Sequence, residues 1–352
     1  MNEARTRYDH PSAWTVDTLG GKETISETLQ PQHIKAFDQA LAAVSIKGIE
    51  VEDIKYRDFP LDSIASSVNR WIDEINEGRG LMVLTGLPIE KYTKEECATI
   101  YYGLGTHFGE AQSQSPMGDR LGHVVGVGGK DTRERAYRNS VELALHTDAS
   151  DIVAMMCLVK ASQGGVSGYT SAPAVYNHFV DHYPELLGTL FEGYHYHLFG
   201  EQEPGTPPVT KDRVPVFSEL DGYLSVYFLR SYIELAYEEM GVEHTEEELV
   251  ALDTFDRIAH SPEFRFNFML EPGEMCFFNN FTTLHTRTEF FDHDDPARKR
   301  HLLRLWLKAW KQRPISDQME IYGARKGVRK QQGKGTYYTG DVQYIESPPP
   351  NV

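Results

Sequence analysis

From Val141 onward the chain is written in short apolar runs divided by Gly, Pro, Asp and Asn: "VELALH", "IVAMMCLV", "GYLSVYF", "FNFML", "EMCFFN" and "HLLRLWLKAW". Runs of this length, with turn residues between them, read as strands, so the body of the protein is β-rich. Two amphipathic stretches, "APAVYNHFVDHYPELLGTLF" and "RSYIELAYEEMG…TEEELVALDTFDRIAH", interrupt the strands and read as helices packed on a sheet. Upstream, Ile64, Val68, Trp71, Ile72 and Ile75 recur at helical spacing, with Asp62 or Ser63 as the cap and Gly78 and Gly80 ending the run. That helix leads into a strand, "LMVLTGLP", and then into a second helix, "TKEECATIYYGLGTHFG", capped by Thr93. Three parts are expected: a covering segment over 1–60 with a short helix at "PQHIKAFDQALAAV", a main domain over 61–322, and a basic tail over 323–352.

Charge and cysteine usage narrow the partners. A formal net charge of -17 repels phosphate backbones, so no nucleic-acid partner is expected. The stretch "GARKGVRKQQGK" in the tail is the exception in sign, and charge runs of this kind are usually solvated. The longest apolar run, Ile152 to Val159, is far too short to span a bilayer, and "MNEARTRYDH" lacks the pattern of a leader. Cys97, Cys157 and Cys276 are odd in number and far apart, as free thiols are in a reducing compartment. A cytoplasmic protein without a membrane partner is therefore expected, and a homo-oligomer is left open.

The chemistry begins at "NSVELALHTDASD". Residues two apart on a strand point to the same face, so His146 and Asp148 would project together while Thr147 points away. Alone, the pair suits a hydrogen-bonded turn as well as a metal claw. His285, near the far end of the apolar run in "PGEMCFFNNFTTLHTRTEF", adds a third donor. Two histidines and one carboxylate match the facial triad that holds non-haem Fe(II) with open positions, which can take a bidentate 2-oxo acid and dioxygen. In "RKRHLLRLWLK", alternation puts Arg300, Leu302, Arg304 and Trp306 on one face and Leu303, Leu305 and Leu307 on the other. Two buried arginines call for anions. Other polar groups carry less. His195 and His197 read as packed imidazoles, His293 with its neighbouring aspartates as a solvated turn, and "GVGG" from Gly126 to Gly129 lacks the setting of a nucleotide loop.

The order His146-x-Asp148, "GGVS", His285 and Arg300-x-x-x-Arg304 resembles the taurine dioxygenase (TauD/TfdA) family of Fe(II)- and 2-oxoglutarate-dependent oxygenases, over roughly Gly80 to Trp310. The resemblance implies a mainly β fold with α elements, the double-stranded β-helix or jelly roll with flanking helices. It implies His146, Asp148 and His285 as ligands of Fe(II), Arg300 as partner of the distal carboxylate of 2-oxoglutarate, and Arg304 as holder of a substrate anion. Ser167 stands where relatives touch the cosubstrate through a threonine after the paired glycines. Related halogenases lack the carboxylate that Asp148 supplies, so oxygen chemistry is implied instead. The expected reaction oxidises a C–H bond of a small anionic substrate with O2 and releases succinate and CO2, by hydroxylation, desaturation or ring closure. An amino acid or related carboxylic acid comes first, a taurine-like sulfonate second, and a quaternary ammonium acid caged by Tyr137, Tyr194, Phe266 and Phe290 third. A different class, a jelly roll that binds a metal or small acid without catalysis, stays open at this point.

Overall fold

In the computed structural model, which describes residues 5–115, 117–125, 140–202, 205–319, 321, 327–328 and 330, the longest apolar runs become the middle of one sheet. Among the described residues its seven strands are β1 (Ser26–Thr28), β2 (Leu81–Thr85), β3 (Gly109–Ala111), β4 (Leu121–Val125), β6 (Ile152–Val159), β12 (Met275–Asn279) and β15 (His301–Ala309). The order is β1-β2-β12-β6-β15-β3, with β4 also paired to β15. A second sheet, in the order β11-β8-β13-β5, joins β5 (Leu143–His146), β8 (Ser167–Ser171), β11 (Arg265–Phe268) and β13 (Thr283–Arg287). Two short ribbons complete the set: β7 (Gln163–Gly164) with β14 (Phe290–Phe291), and β9 (Phe217–Leu220) with β10 (Tyr223–Val226). The β1–β2 pair is parallel and the rest are antiparallel.

The runs that showed no polar alternation are buried on both faces, which is what removes the need for polar positions. Along β12, Met275 and Phe277 point into a helical layer with Phe37, Trp71 and Tyr101. Their neighbours Cys276 and Phe278 point the other way, to Tyr169 and Phe268 of the second sheet. β15 divides in the same way, with Leu303, Leu305 and Leu307 toward the helices and Leu302 and Trp306 toward the second sheet. Phe277 stacks on Phe108 with ring centroids 4.4 Å apart, and burying such a side chain is worth about 1.5–3 kcal/mol. On the outer face of the second sheet, Leu145 and Leu284 meet the helices Ala172–His182, Arg230–Met240 and Glu246–Ala259, the two amphipathic interruptions of the sequence. The chain is thus a jelly roll with flanking helices, as expected. Because Leu145 and Leu284 face outward, His146 and His285 next to them face the space between the sheets.

Several local expectations hold. The helix Lys94–Phe108 starts at Thr93, whose hydroxyl accepts from the Glu96 amide in a capping box, and the early helix runs over Pro31–Lys47. The helix Ala65–Asn76 differs. It continues from a 3-10 turn over Asp62–Ile64, and its cap, Ile64, makes no side-chain hydrogen bond, so neither Asp62 nor Ser63 caps it. A larger difference concerns His285. The apolar run ends with β12 at Asn279, and a turn crosses to the second sheet, so His285 sits in the middle of a separate strand. Cys97, Cys157 and Cys276 are buried free thiols. No helix among the described residues is long and apolar enough to cross a membrane.

Candidate metal centre and anion site

His146 and His285 face each other directly across β5 and β13, with ring centroids 4.1 Å apart. The third donor does not arrive by strand alternation, because β5 ends at His146 and Asp148 lies in the turn beyond it. Asn280, wholly buried in the crossing turn before β13, supplies the missing constraint. Its side-chain carbonyl accepts from the Asp148 amide at 2.9 Å, and its Nδ2 donates to the carbonyls of Asp148 at 2.5 Å and Ser150 at 2.7 Å. Between the two donors, the Thr147 hydroxyl accepts from the Phe228 amide at 3.0 Å, which pins the outer side of the same turn.

One carboxylate oxygen of Asp148 lies 3.8 Å from His146 Nε2 and the other 3.6 Å from His285 Nε2, and one donor atom from each residue lies within 4.8 Å of the others. Those spacings are too long for hydrogen bonds but suit donors facing one ion. Protonation states agree with that use. His146 Nδ1 is 2.9 Å from the Ala144 carbonyl, which as an acceptor puts a proton on Nδ1 and leaves Nε2 as the atom turned toward Asp148. Burial, aided by His146 and Arg304, pushes His285 down to about 3, so it is neutral. Burial alone would raise Asp148, but Arg304, the two imidazoles and the Trp306 N–H outweigh it and hold the carboxyl below its ordinary range. Two imidazoles and one carboxylate fit a divalent iron and would leave part of its coordination open.

Arg304 and Arg300, equivalent by alternation, have different surroundings. Arg304 Nε donates to Gln114 Oε1 at 2.7 Å, its Nη1 is 3.5 Å from Asp148 Oδ2, and its guanidinium lies 4.9 Å from the centre of the Trp306 ring. Trp306 in turn donates to the same Asp148 oxygen at 2.8 Å. Arg300, just before β15, is 3% exposed, and its guanidinium lies 4.9 Å from the Phe290 ring. Its Nη1 has no hydrogen-bond partner among the described residues. Burial pushes Arg300 down to about 10 despite the opposing pull of Cys157 and Asp292. The paired glycines form the wall beside it. A Cβ on Gly165 would stand 3.1 Å from Arg300 Nε, one on Gly164 would strike the Glu289 carbonyl at 2.1 Å, and both residues have φ of +73°. Ser167, the hydroxyl after these glycines, starts β8 opposite Arg287 and hydrogen-bonds Tyr169.

Sequence reasoning missed Asn280, Gln114 and Arg287. For Arg287 a signal existed, since it stands two residues after His285. For the other two there was none, because their partners are 132 and 190 positions away. His195 and His197 stay outside the cluster: His195 Nδ1 bonds the Thr210 carbonyl at 2.9 Å, and His197 Nδ1 accepts from the Phe199 amide at 2.9 Å. Asp292 is not merely a solvated turn residue, for it accepts from the Arg300 amide at 2.7 Å and closes the loop before β15. Of the four cage aromatics, Tyr194 packs in the helical core and Phe290 lies under Arg300. Phe266 belongs to the core between the sheets. Tyr137 and the stretch Gly126 to Gly129 lie outside the described residues, as does most of the basic tail.

Comparison with known proteins bears on this site. The model of the taurine catabolism dioxygenase TauD, TfdA family matches residues 39–306. FR-33289 synthase of Streptomyces rubellomurinus is 32% identical over 309 residues, covering 86% of this chain and 87% of that protein. Taurine hydroxylase-like protein SAT17 of Stachybotrys chartarum is 26% identical over 309 residues, covering 83% and 77%. Among solved structures, asparagine oxygenase in complex with Fe(II), 2S,3S-3-hydroxyasparagine and succinate superposes with a TM-score of 0.64 at 17% identity, over 81% of this chain and 93% of that one. The non-heme iron oxygenase OrfP in complex with Fe and alpha-ketoglutaric acid does so with a TM-score of 0.59 at 11% identity, over 80% and 94%. At such identities the superpositions speak for the fold.

Proposed function

The chain belongs to the TauD/TfdA family of Fe(II)- and 2-oxoglutarate-dependent dioxygenases, and from that premise we propose that it oxidises a C–H bond of a small amino acid or related carboxylic acid. When bound, iron, 2-oxoglutarate and O2 supply oxidative decarboxylation to succinate and CO2, coupled to oxidation of the substrate carbon. His146, Asp148 and His285 hold the iron. Asn280 and Thr147 fix the turn that carries Asp148, and the Trp306 N–H holds one carboxylate oxygen in place. Arg300 meets the distal carboxylate of 2-oxoglutarate, with the Ser167 hydroxyl beside it. Burial of Arg300 against Phe290 keeps water from competing for that ion pair.

The observation that carries the substrate class is Arg304. Its guanidinium, 3.5 Å from Asp148, stands at the metal centre itself, where it can grip a substrate carboxylate and hold the neighbouring carbon at the reacting position. The solved relatives carry 3-hydroxyasparagine and (3S)-hydroxy-L-Arg, both hydroxylated amino acids, which supports this class. A taurine-like sulfonate is the second reading, favoured by the family description and the name of the Stachybotrys relative. A panel of amino acids and sulfonates, scored by substrate-dependent succinate and by mass analysis of the product, tests both. Turnover with an amino acid is the expected result. Turnover confined to sulfonates would transfer the assignment to the second class, and coupling only to cationic substrates lacking an acid group would overturn both.

A further inference from the structure

A second pair of histidines lies on the outer side of the second sheet, away from the space that holds the triad. The sequence "HFVDH" sets His178 and His182 four residues apart in the helix Ala172–His182, so both project from one face of its last turn. Their ring centroids are 4.5 Å apart, with the planes inclined by 49°. His178 is half-buried, with Phe264 edge-on at 5.4 Å and the Tyr183 ring at 6.1 Å, whereas His182 is exposed. His195, His197 and His260 are each tied to a backbone group. Neither His178 nor His182 has a hydrogen-bond partner among the described residues.

The surrounding charges leave one carboxylate for the pair. Asp181 lies between the two histidines in sequence, but Arg7 engages it. Arg257 is turned to Tyr183, donating to its hydroxyl at 3.3 Å. Glu263, in the loop that enters β11, makes no side-chain hydrogen bond or ion pair among the described residues, and its field reaches His178. The backbone there is anchored, since the Glu263 carbonyl accepts from the Val16 amide at 2.8 Å. Burial, then His182 and Arg257, outweigh Glu263 and Asp181 and hold His178 below its ordinary value, which leaves a nitrogen lone pair available at neutral pH. The last turn of a helix also carries partial negative charge on its carbonyls, which favours a cation.

Two imidazoles at this helical spacing offer two nitrogens to one ion, in the manner of the histidines of a helical zinc motif. We propose that His178 and His182 form a second metal site, separate from the triad, that takes Zn(II) in preference to Fe(II), with the Glu263 carboxylate as third donor and solvent completing the set. Nitrogen donors bind Zn(II) more tightly than Fe(II), whose place is the triad. Among the described residues only the triad already has three donor atoms within 4.8 Å, so here two donors stand in place and the exposed Glu263 side chain swings to the ion. A bound ion clips the end of the helix to the loop before β11.

The test is calorimetric titration of the full chain with Zn(II), with thermal melting followed in parallel. His146→Ala, which removes a triad donor, isolates the outer site: this chain should still bind one Zn(II) and melt higher in its presence. Adding His178→Ala or His182→Ala to it should weaken Zn(II) by more than the 10- to 100-fold typical of outer partners, and Glu263→Gln by about tenfold. Affinity should also fall on acidification through about pH 6.5, as the imidazoles take up protons. Should His146→Ala not fold, wild type is expected to take up two Zn(II) and His182→Ala one. Zn(II) binding that survives both outer histidine variants, or no binding beyond the triad, overturns the proposal. Unchanged affinity in Glu263→Gln overturns the part of the carboxylate, and displacement of bound Zn(II) by equimolar Fe(II) under anaerobic conditions overturns the preference.

Discussion

At the metal end of the inner face, Asp148 is held from several directions by the chain itself: Asn280 at its backbone, Trp306 and Arg304 at one oxygen. At the other end, Arg300 is 3% exposed and its Nη1 has no hydrogen-bond partner among the described residues. In the first region the chain itself supplies the outer contacts of the carboxylate, while His285 Nδ1 has no hydrogen-bond partner among the described residues. The second holds a buried guanidinium with which an entering anion would pair. On the proposed reading, the first end suits a permanent guest and the second a reactant that comes and goes, as a cosubstrate consumed in each turnover must.

The largest effect should come from the metal end. His146→Ala or His285→Ala is expected to remove most Fe(II) binding, a loss exceeding the 10- to 100-fold typical of outer partners, whereas His195→Ala leaves it unchanged. Anaerobic Fe(II) titration measures this, and wild-type affinity in both of the first two variants would remove the triad from consideration. At the other end, Arg300→Leu should weaken 2-oxoglutarate by about 2–5 kcal/mol while iron binding survives. A wild-type chelate titration in that variant would show that another group holds the acid and that the contrast between the two ends is wrong.

Arg304 tests where the boundary runs. Arg304→Lys loses the two-pronged grip and should cost about 1.5–3 kcal/mol in substrate kcat/KM, with little change in 2-oxoglutarate affinity. Lower thermal stability and weaker iron binding with an unaltered substrate KM would make Arg304 a support for Asp148 alone. The smallest effect is expected for Trp306→Phe, which deletes the N–H to Asp148 but keeps a ring beneath Arg304. Iron affinity should fall about tenfold, the lower part of the range for such partners. An unchanged affinity would mean that Asn280 and the backbone suffice to aim the carboxylate.

That His146, Asp148 and His285 would come together was legible because few residue types serve as metal donors and these three stood at telling intervals. Their geometry was not. His146 and Asp148 share a site although the strand ends between them, and the reason is Asn280, whose amide side chain looks like any turn asparagine in the sequence "FFNNF". The strand periodicity of "HLLRLWLKAW" correctly separated Leu303 and Leu305 from Leu302 and Trp306. It could not separate Arg300 from Arg304, since both share a face, and only partners such as Gln114 from a distant loop distinguish them. The β-rich body was readable from run lengths and turns, and the jelly roll was implied by the family resemblance. The strand carrying His285 was merged with its predecessor because threonines at 282 and 283 continue a β-favouring composition through a turn.

Timing follows from Asn280. It is made 132 positions after Asp148, and His285 later still, so at synthesis rates of about 5–20 residues per second the ribosome works for on the order of ten seconds between the two halves of the site. Throughout that interval the nascent chain has His146 and Asp148 but neither the third donor nor the residue that bends the turn. Two donors on a loose turn are a poor trap for an ion whose free form generates damaging oxygen species. If these three residues hold the iron, as proposed, tight capture is expected only once the later strands have folded, so that reactivity and the protective barrel would arrive together.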